Sequence, residues 1–192
     1  MVRSLFFKEV IPFLSMFTLL ILTTIVVDFF LHQLAMVWVG RYLGIAGTLL
    51  ILVSFVYSLR KRKWLQSGSL KSLLKFHEFC TWLGSLMILV HGGIHFKALL
   101  PWLAIAAMLV SVISGLTGKY LLKKSNQQLS SRKKELLAQG ISQEEVGKSL
   151  FWDALTVDLM KKWRAVHYPV TLVFAILSLI HIFSIFLFWQ WR

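Results

Sequence analysis

Five apolar runs, each near the roughly 20 residues that cross a bilayer as a helix, constrain what this chain can fold into more than any other feature. They cover 11–31, 37–59, 73–96, 101–122 and 166–189 of the 192 residues. In lipid every backbone N–H and C=O must find its partner inside the segment, which an α-helix achieves. The runs lack the alternating polar face of a barrel strand. The expected fold class is therefore all-α integral membrane: one transmembrane domain, a five-helix bundle. The composition agrees, with 57% hydrophobic and only 15% charged residues, which excludes an ordinary soluble domain. The first run has no small-residue cleavage signature and reads as a retained span rather than a signal peptide.

A formal charge of +13 would suggest nucleic acid if the basic residues lined a soluble surface. Instead they cluster between the spans, so no nucleic-acid partner is expected. Arg3 and Lys8, the group Arg60 to Lys63 with Lys71 and Lys75, and ten residues between Lys119 and Arg164 place 18 of the 21 on one side; Arg41, Lys97 and Arg192 fall on the other. The positive-inside rule then predicts a cytoplasmic amino-terminus and an outside carboxy-terminus, in a plasma or inner membrane.

The polar segment 123–165 is the expected cytoplasmic loop, too short for a catalytic domain. It reads as two short helices broken at Gly140, the second opened by a capping box of Ser142 and Glu145. Phe151, Leu155, Leu159 and Trp163 recur at helical spacing, so this helix is expected on the membrane surface or against a partner. Ser111, Ser114, Gly115 and Gly118 give the fourth span a small-residue face, read as helix packing. The single cysteine, Cys80, excludes an internal disulfide, a four-cysteine cluster and covalent CxxCH haem attachment.

Four of the six histidines form two pairs, His77 with His91 and His167 with His181, and both separations are fourteen residues. Fourteen residues return to nearly the same helix face and climb about 21 Å. Each helix thus presents two imidazoles on one face, and because the third and fifth spans run in the same direction their histidines are level: His77 with His167, His91 with His181. Two bis-histidine sites between these helices are what two b-type haems require, with one neutral nitrogen on each axial position of the iron. Two readings stand beside this one. Zinc wants more ligands than the pairs offer, with only Glu78 and Cys80 nearby. Alternatively, the histidines are packed polar groups bonding neighbouring helices, although polar groups within a membrane are costly and usually functional.

Between the ligands, Gly84 is seven residues from both His77 and His91, where a missing side chain makes room for macrocycles or for a packed helix. Phe174 is seven from both His167 and His181, where a ring would lie between two haems or simply pack.

The segment FHEFCTWLGSLMILVHGGIHF, with His77, Trp82, His91 and His95 in order, resembles the third helix of the ferric reductase and NADPH oxidase transmembrane domain. WRAVHYPVTLVFAILSLIHIF resembles that family's fifth helix, with Phe174 at the position of an inter-haem aromatic. The resemblance covers roughly Val37 to Trp189. It implies electron transfer across the membrane through two stacked b haems, from a cytoplasmic donor to an outside acceptor. The chain departs from the family in two ways: the family's fifth-helix histidines are often one residue closer, and these 192 residues carry no flavin and nicotinamide domain. The haem-binding membrane subunit of methionine sulfoxide reductase systems is a similar stand-alone case. His95, one turn beyond His91, and Arg41 are expected near the outer haem, binding a propionate or an acceptor, where the family has a comparable basic pair; the alternative places them at lipid headgroups. Asp28 and His32 suggest a proton or quinone site, or a packing contact.

The functional expectation is a di-haem cytochrome b, an electron-transfer subunit of an oxidoreductase system. Its cofactors are two haem b, and its partners are membrane lipid, a cytoplasmic protein donor and an outer acceptor, or quinol. Two alternatives remain: a quinol-oxidising anchor subunit of a dehydrogenase or reductase complex, and a haem-free transporter or scaffold.

Overall fold

The structure, a computed structural model, describes residues 11–94 and 99–188. No strand occurs among them. The helices are α1 (Ile11–Gln33), α2 (Val37–Ser54), α3 (Val56–Lys61), α4 (Leu70–Ile94), α5 (Leu99–Leu116), α6 (Lys123–Ala138), α7 (Gln143–Ser149) and α8 (Phe151–Phe188), with a π-helical turn over Thr117–Leu122 between α5 and α6. Five stretches are long and apolar enough to cross a membrane: Ile11–Gln33, Val37–Lys61, Leu70–Gly93, Leu99–Lys119 and Phe151–Phe188. By length and composition the chain is a multi-pass membrane protein. The expected ends of the third and fifth spans, Phe96 and Trp189, lie outside the described residues.

Three helices end alike. After α1, Ala35 (φ 55°) sits in the left-handed region, with Met36 N–H donating to Leu31 O at 2.8 Å and Ala35 N–H to His32 O at 3.2 Å. Lys63 (φ 63°) closes α3 and Gly140 (φ 78°) closes α6 by the same pair of bonds. This is the Schellman arrangement, which satisfies carbonyls that a helix end leaves without partners.

The second span is a single run in sequence but breaks at Phe55. Ser54 Oγ donates to Ile51 O at 2.6 Å, and Phe55 N–H turns to Leu52 O, three residues back, at 3.0 Å. A serine bonding back to its own helix competes for the carbonyl the next N–H would take, which bends or ends the helix.

The polar loop differs from its expected form in one respect. The break at Gly140 is present and Ser142 caps α7, its Oγ accepting from Glu145 N–H at 3.3 Å and donating to Glu145 Oε2 at 3.1 Å. The following helix, however, is not a separate surface element. α7 stops at Ser149, and α8 starts at Phe151 and runs unbroken into the fifth span. No glycine separates Trp163 from Val166, and Pro169, although it removes one helical hydrogen bond, lies inside the helix without ending it.

The helices form two compact units. One contains residues 11–17 and 109–172; its buried residues include Val146, Leu150 and Val157, with the polar Ser111, Ser114 and Thr117. The other contains residues 18–94, 99–108 and 173–188. Its core is Ile51, Ala104, Met108 and Phe174, packed by Phe55, Ile88, Leu89, Ala107 and Leu177. Outward faces of α1 and α8 expose Leu22, Ile25, Phe29, Leu179 and Phe183, as lipid-facing helices do.

Candidate cofactor site

In the larger unit α2 packs against α4 through three contacts spaced two turns apart. Gly40 O meets His91 Nδ1 at 2.9 Å, and Ser54 O meets His77 Nδ1 at 3.2 Å. Midway between them, Gly47 and Gly84 touch. The residue numbers of each pair add to the same total, the signature of two antiparallel helices held in one register. Two glycines on one face let the backbones approach closely. A third, Gly44, seats the His91 ring, since a Cβ there would fall 2.7 Å from His91 Cγ.

A carbonyl oxygen carries no hydrogen, so in both bonds the imidazole donates from Nδ1 and carries its lone pair on Nε2. That is the tautomer of a metal-ligating histidine oriented by a backbone carbonyl. Ser54 is the last residue of α2, where carbonyls have no intrahelical partner, and the break at Phe55 makes its carbonyl available to His77. Tyr57, just past the break, lies with its ring 5.5 Å from that of His77, tilted by 32°.

His91 faces His181 across the same unit. Their ring centres are 6.4 Å apart and the planes make an angle of 56°. Two imidazole nitrogens each about 2.0 Å from one metal ion put the ring centres about 6 Å apart. These two rings are neighbours, as the helical spacing predicts.

His167 belongs to the smaller unit and is held from α5. Its Nδ1 is 3.0 Å from Ser111 O and 2.7 Å from Ser114 Oγ. The serines read as a packing stripe in the sequence therefore contact a predicted ligand. His77 and His167 share a further device: Thr81 Oγ1 donates to His77 O at 2.7 Å, and Thr171 Oγ1 to His167 O at 2.7 Å. Thr24, Thr48 and Thr117 make the same bond to the carbonyl four residues back, so it is an ordinary contact of threonine in these helices.

The other predicted residues are placed as follows. The space beside Gly84 is filled by α2, with Gly47 O and Ile51 Cγ1 each 2.8 Å from where a Cβ would be, so its missing side chain serves helix packing rather than a macrocycle. Phe174, 7% exposed, sits in the core of the larger unit among Ile51, Ala104 and Met108. Arg41 is exposed on α2, next to the Gly40 carbonyl that holds His91. His95 lies outside the described residues. Asp28 and His32 do meet: His32 Nδ1 is 2.8 Å from Asp28 O and 3.6 Å from Oδ1. Asp28 Oδ1 is buried without a hydrogen-bond partner and lies 3.3 Å from where a Cβ on Gly93 would be, two residues from His91. The support that Gly40, Gly44, Gly47 and Ser54 lend the histidines is a tertiary contact that spacing along one helix does not reveal, although the run GRYLGIAG marks a close-packing face.

Among the described residues no three His, Cys, Asp or Glu side chains gather into a metal-binding group; the histidines come as a facing pair or singly. Compared with known proteins, the chain matches no family model, no curated protein and no solved structure.

Proposed function

We propose that this protein is a b-type membrane cytochrome that relays single electrons. One observation carries the reading: His91 and His181 face each other at 6.4 Å, with His91 locked by Gly40 O into the tautomer that presents Nε2. Two donors satisfy an iron whose four equatorial positions belong to a porphyrin, whereas zinc wants three or four from the protein. When bound, haem supplies a one-electron carrier. The chain's own residues fix the imidazoles, and the apolar helices around them exclude water and lower the local dielectric, which tunes potential.

From the sequence alone, a second haem is expected at the other histidine pair, His77 with His167. This pairing rests on the equal fourteen-residue spacings, and the Nδ1 bonds of both residues to carbonyls give each the same ligand tautomer. Phe174 lies midway between His167 and His181 in sequence and would be the aromatic nearest both haems if they bind. Charge distribution orients the chain with the basic segments in the cytoplasm, where a protein donor docks, and an acceptor takes the electron on the other side. The resemblance to the ferric reductase and NADPH oxidase transmembrane domain supports the same direction.

The test is a reduced-minus-oxidised spectrum and a pyridine haemochrome assay on the purified protein. Two haems per chain are expected, with His91→Ala and His181→Ala each losing the same one. A protein without haem, or two variants that lose different haems, would overturn the reading.

The contact of Asp28 with His32 beside Gly93 favours a second reading, in which quinol donates the electrons from within the membrane. A carboxylate oxygen buried without a donor, next to an imidazole, is suited to take the protons that quinol oxidation releases. Haem reduction by quinol alone, lost in Asp28→Asn, would establish it; no reduction by quinol would leave a protein donor.

A further inference from the structure

Ser114 is completely buried on α5. Its Oγ donates to Ser111 O at 2.8 Å, and a hydroxyl has a single proton to give. Toward His167 Nδ1, at 2.7 Å, the same oxygen therefore accepts. The Nδ1–H is shared between this hydroxyl and Ser111 O at 3.0 Å. The Ser111 carbonyl can only accept, so the imidazole has its hydrogen on Nδ1 and its lone pair on Nε2. With the other tautomer the hydroxyl would have to turn its proton from Ser111 O to Nδ1, and that carbonyl would lie 3.0 Å from a nitrogen lone pair.

The surroundings hold this arrangement still. Thr171 Oγ1 donates to His167 O at 2.7 Å and lies 3.3 Å from Ser111 Oγ. Gly115 leaves the ring edge room, since a Cβ there would be 3.6 Å from His167 Cε1, an ordinary contact.

We infer that Ser114 is a positioning residue for His167, adding a second acceptor to the Nδ1–H that Ser111 O already directs and raising the imidazole's basicity as a ligand, so that an iron bound there would have a lower reduction potential. This rests on the haem reading proposed above. A hydrogen bond accepted from Nδ1–H makes the imidazole a stronger donor at Nε2, and a more electron-rich axial ligand favours ferric over ferrous iron. Of the two acceptors, the backbone carbonyl stays in every variant while the hydroxyl can be removed.

The experiment compares Ser114→Thr with Ser114→Val, which have nearly the same shape and differ in the hydroxyl. In nanodiscs without haem, 15N-imidazole spectra are expected to show His167 protonated at Nδ1 in the wild type and Ser114→Thr, with that signal moved in Ser114→Val. With haem loaded, Ser114→Val is expected to raise the potential of the haem that His167→Ala removes, by about tenfold in the reduction equilibrium, or about 59 mV for one electron. The other haem should not shift, and Ser114→Thr should match the wild type. Should both β-branched variants lose haem, Ser114→Ala, which adds no bulk, is titrated instead with the same rise expected. Equal potentials and equal imidazole spectra with and without the hydroxyl would overturn the inference. A wild type that binds no haem would overturn the haem reading instead, and the imidazole spectra would still decide whether the Ser114 hydroxyl bonds the Nδ1–H of His167.

Discussion

Gly47 and Gly84 meet backbone to backbone, such that a Cβ built on either would lie 2.8 Å from the carbonyl oxygen of the other. This contact is the midpoint of the α2–α4 seam, with the His77 and His91 anchors at its two ends. Helix separation at the glycines therefore decides whether both imidazoles reach their carbonyls.

Gly84→Ala should accordingly weaken the fold and the carbonyl bonds of His77 and His91 together. The obstructing atom is a backbone oxygen that cannot rotate away, so a cost of about 1–3 kcal/mol is expected from overpacking. Gly147→Ala is the control: its Cβ meets nothing within 4 Å, and removing a helical glycine should add about 0.5–1 kcal/mol of stability. Thermal unfolding in detergent, followed with haem content, checks both. A Gly84→Ala protein as stable as the Gly147→Ala protein would contradict the close approach.

Phe174 packs in the core, and truncation separates that role from the electron-transfer role proposed for it. It belongs to the core of Ile51, Ala104 and Met108, so Phe174→Ala should cost about 3–5 kcal/mol. Phe174→Leu keeps most of the volume and should retain both haems while slowing electron transfer between them. Flash-reduction kinetics on the leucine variant are the measurement, and rates equal to wild type would leave the ring a packing role alone.

The helix ends give a prediction independent of any cofactor. Gly140 has φ 78° and open space around its Cβ position, so Gly140→Ala should lose about 1 kcal/mol through backbone strain alone. Lys63 adopts a similar φ of 63° with a side chain, and Lys63→Gly should gain by the same reasoning. Limited proteolysis of the loops around 140 and 63 reports both, with cleavage faster in the first variant and slower in the second.

Electron entry from a protein donor should depend on the exposed Lys133 and Lys134 of α6. Reversing both charges is expected to slow haem reduction by an acidic donor, most at low salt, because steering by charge is screened as ionic strength rises. Each of these lysines also gains about 1 kcal/mol near anionic headgroups. Stopped-flow reduction in nanodiscs of neutral lipid separates the two roles, and a rate unaffected by charge reversal there would assign the lysines to topology.

Much of this molecule was legible in the sequence because a bilayer allows a helix as the simplest answer to an unbroken apolar run. Spans, loop, capping box and the break at Gly140 follow from local rules that need no neighbour. The spacing of the histidines likewise put His91 level with His181, since helical periodicity is fixed by the backbone. What a helix packs against is not local. Gly84 was readable as space for a cofactor or for a helix, and the position of Gly47 on α2 decided for the helix. Ser114 was readable as part of a small-residue stripe until His167 was found against it. The fifth span and the helix before it looked separable because composition changes near Arg164, but a change in polarity does not interrupt backbone hydrogen bonds, and α8 continues across it. The sequence thus determined which residues turn toward the same side of each helix. Only tertiary structure decided which carbonyl or hydroxyl each imidazole meets, because that depends on the register between helices distant in the chain, set by close packing at glycines and serines.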